Sequence, residues 1–205
     1  MDHKTELYRT PKKKRLPTVL TPDERSRLLA APNKKVVTGL RNYAMLTLFL
    51  NLGLRVSEAL DLKVNDIDWQ SGKLTVVQGK GGRDRVLWLA AEDLIILSSW
   101  LAKRPAESSY LFSTLKGGRM CDRYVREFVK RYARNNKISK EVHPHILRHT
   151  FATDLLRSTS NIRLVQKALG HTSLATTMLY THIFDQELES ALKNLRSEEQ
   201  APQTG

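Results

Sequence analysis

The sequence predicts a mostly α-helical domain with a small antiparallel β-sheet set into it. Three observations carry that expectation. Apolar residues recur at helical spacing along most of the chain. Two short runs rich in valine and leucine, 74–77 and 86–89, flank the segment Gln78-Gly79-Lys80-Gly81-Gly82-Arg83-Asp84, which is the pattern of a hairpin with a tight glycine-rich connection. The 205 residues, 40% of them hydrophobic, suffice to bury roughly 70% of the unfolded surface without a disulfide or a structural metal.

The elements follow in order. Thr21 is placed to cap a first helix, Pro22 suits its first turn, and Glu24 completes a capping box; Leu28 and Leu29 follow on the inner face. A longer, largely buried helix is expected over 38–51, where Leu40, Tyr43, Ala44, Leu46, Leu48, Phe49 and Leu50 fall. Gly53 ends it, because glycine tolerates the left-handed backbone of a helix terminus. A short helix should span 56–62. After the hairpin, helical periodicity resumes over 91–101, and 110–112 reads as a short extended piece. Helices are expected at about 121–135, 145–157, 161–169, 173–182 and 186–195, punctuated by Gly117-Gly118, Pro144 and Gly170. The chain therefore divides into a basic N-terminal arm (1–16), a folded domain (17–196) and a polar tail (197–205), with no internal repeat.

Charge narrows the function classes. Lys and Arg number 34 against 21 Asp and Glu, a formal charge of +13. Such an excess points to a polyanion, most often nucleic acid. A membrane surface is a weaker partner, since neither a basic amphipathic helix nor a lipidation signal is present. Cys121 is the only cysteine, so no intrachain disulfide forms, which fits a reducing compartment. The first 17 residues lack the apolar core of a signal peptide. The longest apolar run, 43–54, is interrupted by Thr47, Asn51 and Gly53 and is too short to span a bilayer. The expected compartment is cytoplasmic, with the nucleoid as the site of work.

His143-Pro144-His145-Ile146-Leu147-Arg148-His149-Thr150 is the most unusual stretch. Pro144 opens a helix, and His145 and Arg148, three apart, project from one face. An imidazole beside a guanidinium suits an anionic phosphate: the guanidinium forks onto two oxygens while the imidazole moves a proton. A plain charged helix face fits this stretch as well. Metal binding by His143, His145 and His149 is disfavoured, because no Cys, Asp or Glu completes a known ligand spacing with them. Leu169-Gly170-His171 follows, with Tyr180 nine residues later; upstream, Gly53-Leu54-Arg55-Val56-Ser57-Glu58 sets an arginine just beyond a buried helix.

Taken in order, Arg55, Lys80, His145-x-x-Arg148, His171 and Tyr180 resemble the active-site set of the tyrosine recombinases, the phage-integrase and Xer-like family. The supporting strings are Gly-Leu-Arg-Val-Ser-Glu around Arg55, Gly-Lys-Gly on the hairpin, His-x-Leu-Arg-His-Thr-Phe-Ala-Thr, and Leu-Gly-His before the tyrosine. The resemblance covers 17–196 and implies the DNA breaking-rejoining catalytic-domain fold. It implies a site-specific recombinase that cleaves and rejoins DNA for integration, excision or inversion, with no metal and no cofactor. Tyr180 would attack the scissile phosphate and form a 3′-phosphotyrosyl link. Arg55 and Arg148 would clamp the nonbridging oxygens, and His171 would donate a further hydrogen bond. His145 would move the phenol proton, and Lys80 would protonate the leaving 5′-oxygen, with Arg83 and Arg85 as competitors. Glu58, one turn after Arg55, would orient that arginine.

Most members of the family carry a separate N-terminal DNA-binding domain, and here about 16 residues precede the pattern. That shortness resembles the compact recombinases that invert promoter segments, and equally a cut-down integrase or a fragment of a longer protein. Lys12, Lys13, Lys14 and Arg15 would supply DNA contacts, as would Arg83, Arg123, Arg126 and Lys130. Ile183, Leu188, Ala191, Leu192 and Leu195 form an apolar set that fits packing on the chain's own core; the resemblance implies instead that it docks on a neighbouring copy, four copies assembling on two sites of double-stranded DNA, with accessory DNA-bending proteins as further partners. A DNA-binding regulator without strand exchange, and a topoisomerase-like relaxing enzyme, are the alternatives on the same fold.

Overall fold

The computed structural model of the chain describes residues 18–77, 84–171 and Tyr180. The first helix, α1 (Pro22–Ala30), starts as its sequence dictates: the Thr21 hydroxyl accepts from the Glu24 amide, and the Glu24 carboxylate accepts from the Thr21 amide at 2.8 Å. The second, α2 (Val37–Leu52), has no continuous polar face, and residues 44–50 are all buried. A helix without a polar face has to sit inside; α2 packs against α4 (Ala91–Leu101) and α6 (Pro144–Thr159).

Gly53 closes α2 in the left-handed conformation, φ +61°. A Cβ there would stand 2.3 Å from the Phe151 ring, so backbone and packing both require glycine. Short α3 (Val56–Asp61) follows, then a 3-10 turn (Val64–Asp66).

The sheet is β1 (Ile67–Asp68), β2 (Lys73–Val76) and β3 (Arg85–Trp88), antiparallel in sequence order. The two longer strands lie one residue earlier than expected, and β1 is too short to announce itself by alternation. Leu74 pairs with Leu87 and Val76 with Arg85. Side chains alternate along a strand, so Leu74, Val76, Arg85 and Leu87 face the core while Trp88, 65% exposed, faces out. An arginine has thereby been placed in the inward register. The extended piece expected at 110–112 is a single bridge from Tyr110 to Lys63.

Helix α5 (Asp122–Asn135) buries Val125, Phe128, Val129 and Ala133, and α7 (Ile162–Leu169) buries Val165 and Leu169 against α6. Most of the interior is one cluster around α2. A second, smaller one joins Ala152, Leu156, Val165, Leu169 and Tyr180. Apart from Tyr180, the helices expected at 173–182 and 186–195 fall outside the described residues. Among those residues no helix is long and apolar enough to cross a membrane.

Candidate active site

Arg55 occupies the N-cap of α3, three residues before Glu58. Glu58 accepts from the Arg55 backbone amide and from Arg55 Nη1, each at 2.7 Å. The same carboxylate accepts a fork from Arg85, Nη1 to Oε1 and Nη2 to Oε2, each at 2.8 Å. Those bonds occupy the four lone-pair positions of a carboxylate. Burial by itself pushes the Glu58 carboxyl up. The Arg85 hydrogen bonds and charge, the Arg55 amide and the Arg148 charge overcome this and hold it at about 2.

Arg148 lies on α6 and is 3% exposed. Its Nη1 donates to the Gly53 carbonyl at 2.5 Å and its Nη2 to the Leu169 carbonyl at 2.7 Å. These carbonyls belong to the C-terminal ends of α2 and α7, where unpaired oxygens and the helix dipole favour a cation. Burial and the Arg55 charge lower the Arg148 pKa to about 10, opposed by Glu58; the guanidinium remains charged at neutral pH.

His145 sits one turn before Arg148 on the same face. Arg55, Arg126, His145 and Arg148 line one cavity of about 220 Å³. Desolvation, then the charges of Arg148, His143 and Arg55, lower the His145 pKa. His171, just past the Gly170 cap of α7, stands with Nε2 3.3 Å from Arg148 Nη2. Burial and the Arg148 charge push its pKa down to about 4. The cavity of Arg55, Arg126, His145 and Arg148, which Asp122 also lines, holds positive charge and hydrogen-bond donors at close range, the complement of a phosphodiester, while His171 lines a second cavity with Arg85 and Lys167.

Tyr180 is 1% exposed and is not among the walls of that cavity. Its ring is seated in the small α6–α7 cluster, and its Oη lies 2.6 Å from His149 Nδ1. Burial pushes the phenol up to about 12 against the opposing Arg148 charge. Burial, His145 and Arg148 push His149 down to about 4. The phenol therefore keeps its proton and lies beside a neutral imidazole. The His149 ring also meets His145 edge to face, with centroids 4.8 Å apart.

The fold thus gathers Arg55, Glu58, His145, Arg148 and His171, with Tyr180 one histidine away. Arg123, Arg126 and Lys130 share an exposed face of α5, where Arg126 pairs with Asp122. Lys80, Arg83, Lys12, Lys13, Lys14 and Arg15 lie outside the described residues. Arg85, weighed beside Lys80 as a proton donor, is buried on Glu58 instead. Sequence reasoning missed Arg85 as a partner of Glu58 and His149 as a partner of Tyr180. Each left a signal: Arg85 is two residues from the inward Leu87, and His149 is one turn beyond His145.

The arrangement has close counterparts among solved structures. A crystal structure of XerA recombinase superposes with a TM-score of 0.75 at 34% identity, covering 93% of this chain and 68% of that one. XerH site-specific recombinase, bound to a palindromic difH substrate in a post-cleavage complex, also gives 0.75, at 32% identity over 87% of this chain and 53% of its own. Helices and sheet together are those of the catalytic-domain fold of the tyrosine recombinases. The phage integrase family model matches residues 18–187, and the chain belongs to that family. Relatives include a tyrosine recombinase XerC of Thermodesulfovibrio yellowstonii, 37% identical over 180 residues (83% of this chain, 60% of the relative). Another XerC, from Xanthomonas campestris pv. campestris, is 40% identical over 182 residues (88% and 56%). The chain thus spans less than two thirds of the length of these relatives.

Proposed function

We propose that this chain is a site-specific DNA recombinase that cuts and rejoins double-stranded DNA through a tyrosine. The observation that carries the reading is one cavity holding two arginines and a histidine of the family set, with Tyr180 in contact with the same helix. A scissile phosphate enters this cavity. Arg55 and Arg148 neutralise its nonbridging oxygens, where charge grows as attack proceeds, and His171 adds a hydrogen bond. Tyr180 Oη forms a bond to phosphorus while the bond from phosphorus to the 5′-oxygen breaks. The phenol proton leaves through the α6 histidines, His145 facing the cavity and His149 holding the phenol beforehand. Lys80 gives the departing 5′-oxygen its proton. The phosphotyrosyl ester conserves the bond energy, and a 5′-hydroxyl from the partner strand reverses the step.

Residues 17–196 carry this chemistry in the cytoplasm, on nucleoid DNA. The arm residues Lys12, Lys13, Lys14 and Arg15, together with Arg83 and the α5 face of Arg123, Arg126 and Lys130, grip phosphates. The segment after Tyr180 docks on a neighbouring copy, four copies assembling on paired sites with DNA-bending proteins as accessories. The +13 charge supports the partner class, and the family membership supports the reaction.

The test is a selection. The protein is incubated with nicked duplexes of randomised sequence, detergent is added, and DNA that remains linked to protein is sequenced. A recovered site that forms an adduct with wild type and none with Tyr180→Phe is the expected result. An adduct that survives the substitution, or none at all, overturns the reading. On the recovered site, Arg148→Lys should lose cleavage far more than DNA affinity.

A further inference from the structure

Arg85 occupies a position that the reaction scheme leaves without a task. It is 6% exposed, projects inward from β3, and makes three bonds across three elements. Two form the fork onto Glu58 of α3. The third runs from Nε to the Ala168 carbonyl of α7 at 2.8 Å. Ala168 adjoins Leu169, whose carbonyl holds Arg148, and His171 follows two residues later. One guanidinium therefore ties the carboxylate behind Arg55 to the helix end that carries the other anchors.

The geometry around Glu58 shows what this tie prevents. Arg148 Nη1 stands 3.8 Å from Glu58 Oε2, inside charge range but without a hydrogen bond, and Arg148 is bonded to backbone carbonyls instead. A carboxylate freed from Arg85 has an unoccupied side and a guanidinium next to it. It would close on Arg148, drawing it off the Gly53 and Leu169 carbonyls and relaxing its hold on Arg55. Stability alone does not call for an ion pair here, because buried pairs are commonly matched by apolar side chains of the same volume. Orientation does call for one, since a planar fork fixes a carboxylate's rotation in a way that a point charge does not.

We propose that Arg85 is a positioning residue for strand cleavage: it pins Glu58 so that Arg55 and Arg148 present themselves as two separate phosphate clamps. This rests on the recombinase reading above. Its test uses the full chain and the nicked site recovered from the selection, with single-turnover adduct formation, DNA affinity and urea unfolding measured side by side. Arg85→Lys keeps the charge and loses the fork; Arg85→Met keeps length without charge.

At saturating DNA the adduct should form at least about tenfold more slowly in Arg85→Lys, as expected when an orienting partner is lost. DNA affinity should change much less. The pH–rate profile supplies a readout that a merely structural arginine would not move. Glu58 is faced by Arg55, Arg85 and Arg148. Without Arg85, burial pushes its carboxyl up, so Arg85→Met should lose rate at a higher pH than wild type as the solution is acidified.

A rate within about twofold of wild type per folded molecule, with an unmoved acid limb, overturns the inference and leaves the recombinase reading intact. Equal losses of rate and affinity overturn it as well, since the arginine would then serve only to grip DNA. No adduct with wild type removes the recombinase reading and this inference together. Should Arg85→Met not fold, the rate and pH profile of Arg85→Lys decide the matter.

Discussion

Two ends of the site are held by different physics. At Glu58, one buried carboxylate accepts four hydrogen bonds from two arginines, with Arg148 close by on its own carbonyls. At Tyr180, among the described residues, a neutral phenol meets a neutral imidazole through one hydrogen bond in an apolar setting. The charged end is over-determined, because four elements (the Gly53 turn, α3, β3 and α7) fix it. Among the described residues the Tyr180 end is held by packing and one hydrogen bond, which a modest differential interaction is able to exchange. On the proposed reaction, a phosphate clamp gains from being built before DNA arrives, and a phenol kept protonated and sheltered gains from being released afterwards.

Four measurements test the contrast. The largest effect belongs to Glu58→Leu, which strands Arg85 in the interior. Loss of one member of a buried pair costs about 3–5 kcal/mol, read as a lower urea midpoint. A loss below about 1 kcal/mol would mean that Glu58 does not anchor this end. Next comes pH. His149 and His171 have folded pKa values of about 4 against an ordinary 6.5, so the unfolded chain binds more protons between those values. Their contribution to stability is complete above 6.5 and drains away as pH falls toward 4. Glu58, held at about 2, adds its own loss only below the ordinary carboxyl value of 4.5. A urea midpoint that stays flat from pH 7 to 4 would contradict the buried neutral histidines.

Tyr180→Phe should cost only about 1 kcal/mol, the net worth of one hydrogen bond, while abolishing the adduct. A cost as large as that of Glu58→Leu would erase the distinction between the two ends. The smallest effect is expected three residues along α3. Asp61 pairs with Arg119 at 2.6 Å, but both side chains are more than 40% exposed. Asp61→Asn should shift stability by less than about 1 kcal/mol, detectable only by paired urea titrations.

Local signals were strong where neighbouring residues act together. The Thr21–Glu24 box, Pro144 at a helix start, and the glycines after α2 and α7 work within one turn, and each appears as read. The ordered set of Arg55, His145, Arg148, His171 and Tyr180 was legible because each residue carries its own string of neighbours. Strand bounds slipped by one, since a four-residue run of valine and leucine scarcely distinguishes its ends. β1 was not foreseen, because two residues have no period.

The sequence alone carries the order of the longer described elements, the positive charge and the candidate set of reactive side chains, all of which reside in composition and short-range spacing. What only the tertiary structure decided is who meets whom. Arg85 pairs with Glu58 across 27 positions, Arg148 bonds carbonyls 95 and 21 positions away, and Tyr180 closes on His149 over 31. The physical reason is that backbone carbonyls carry no mark in a sequence. Whether a charge is buried depends on packing that brings distant segments together.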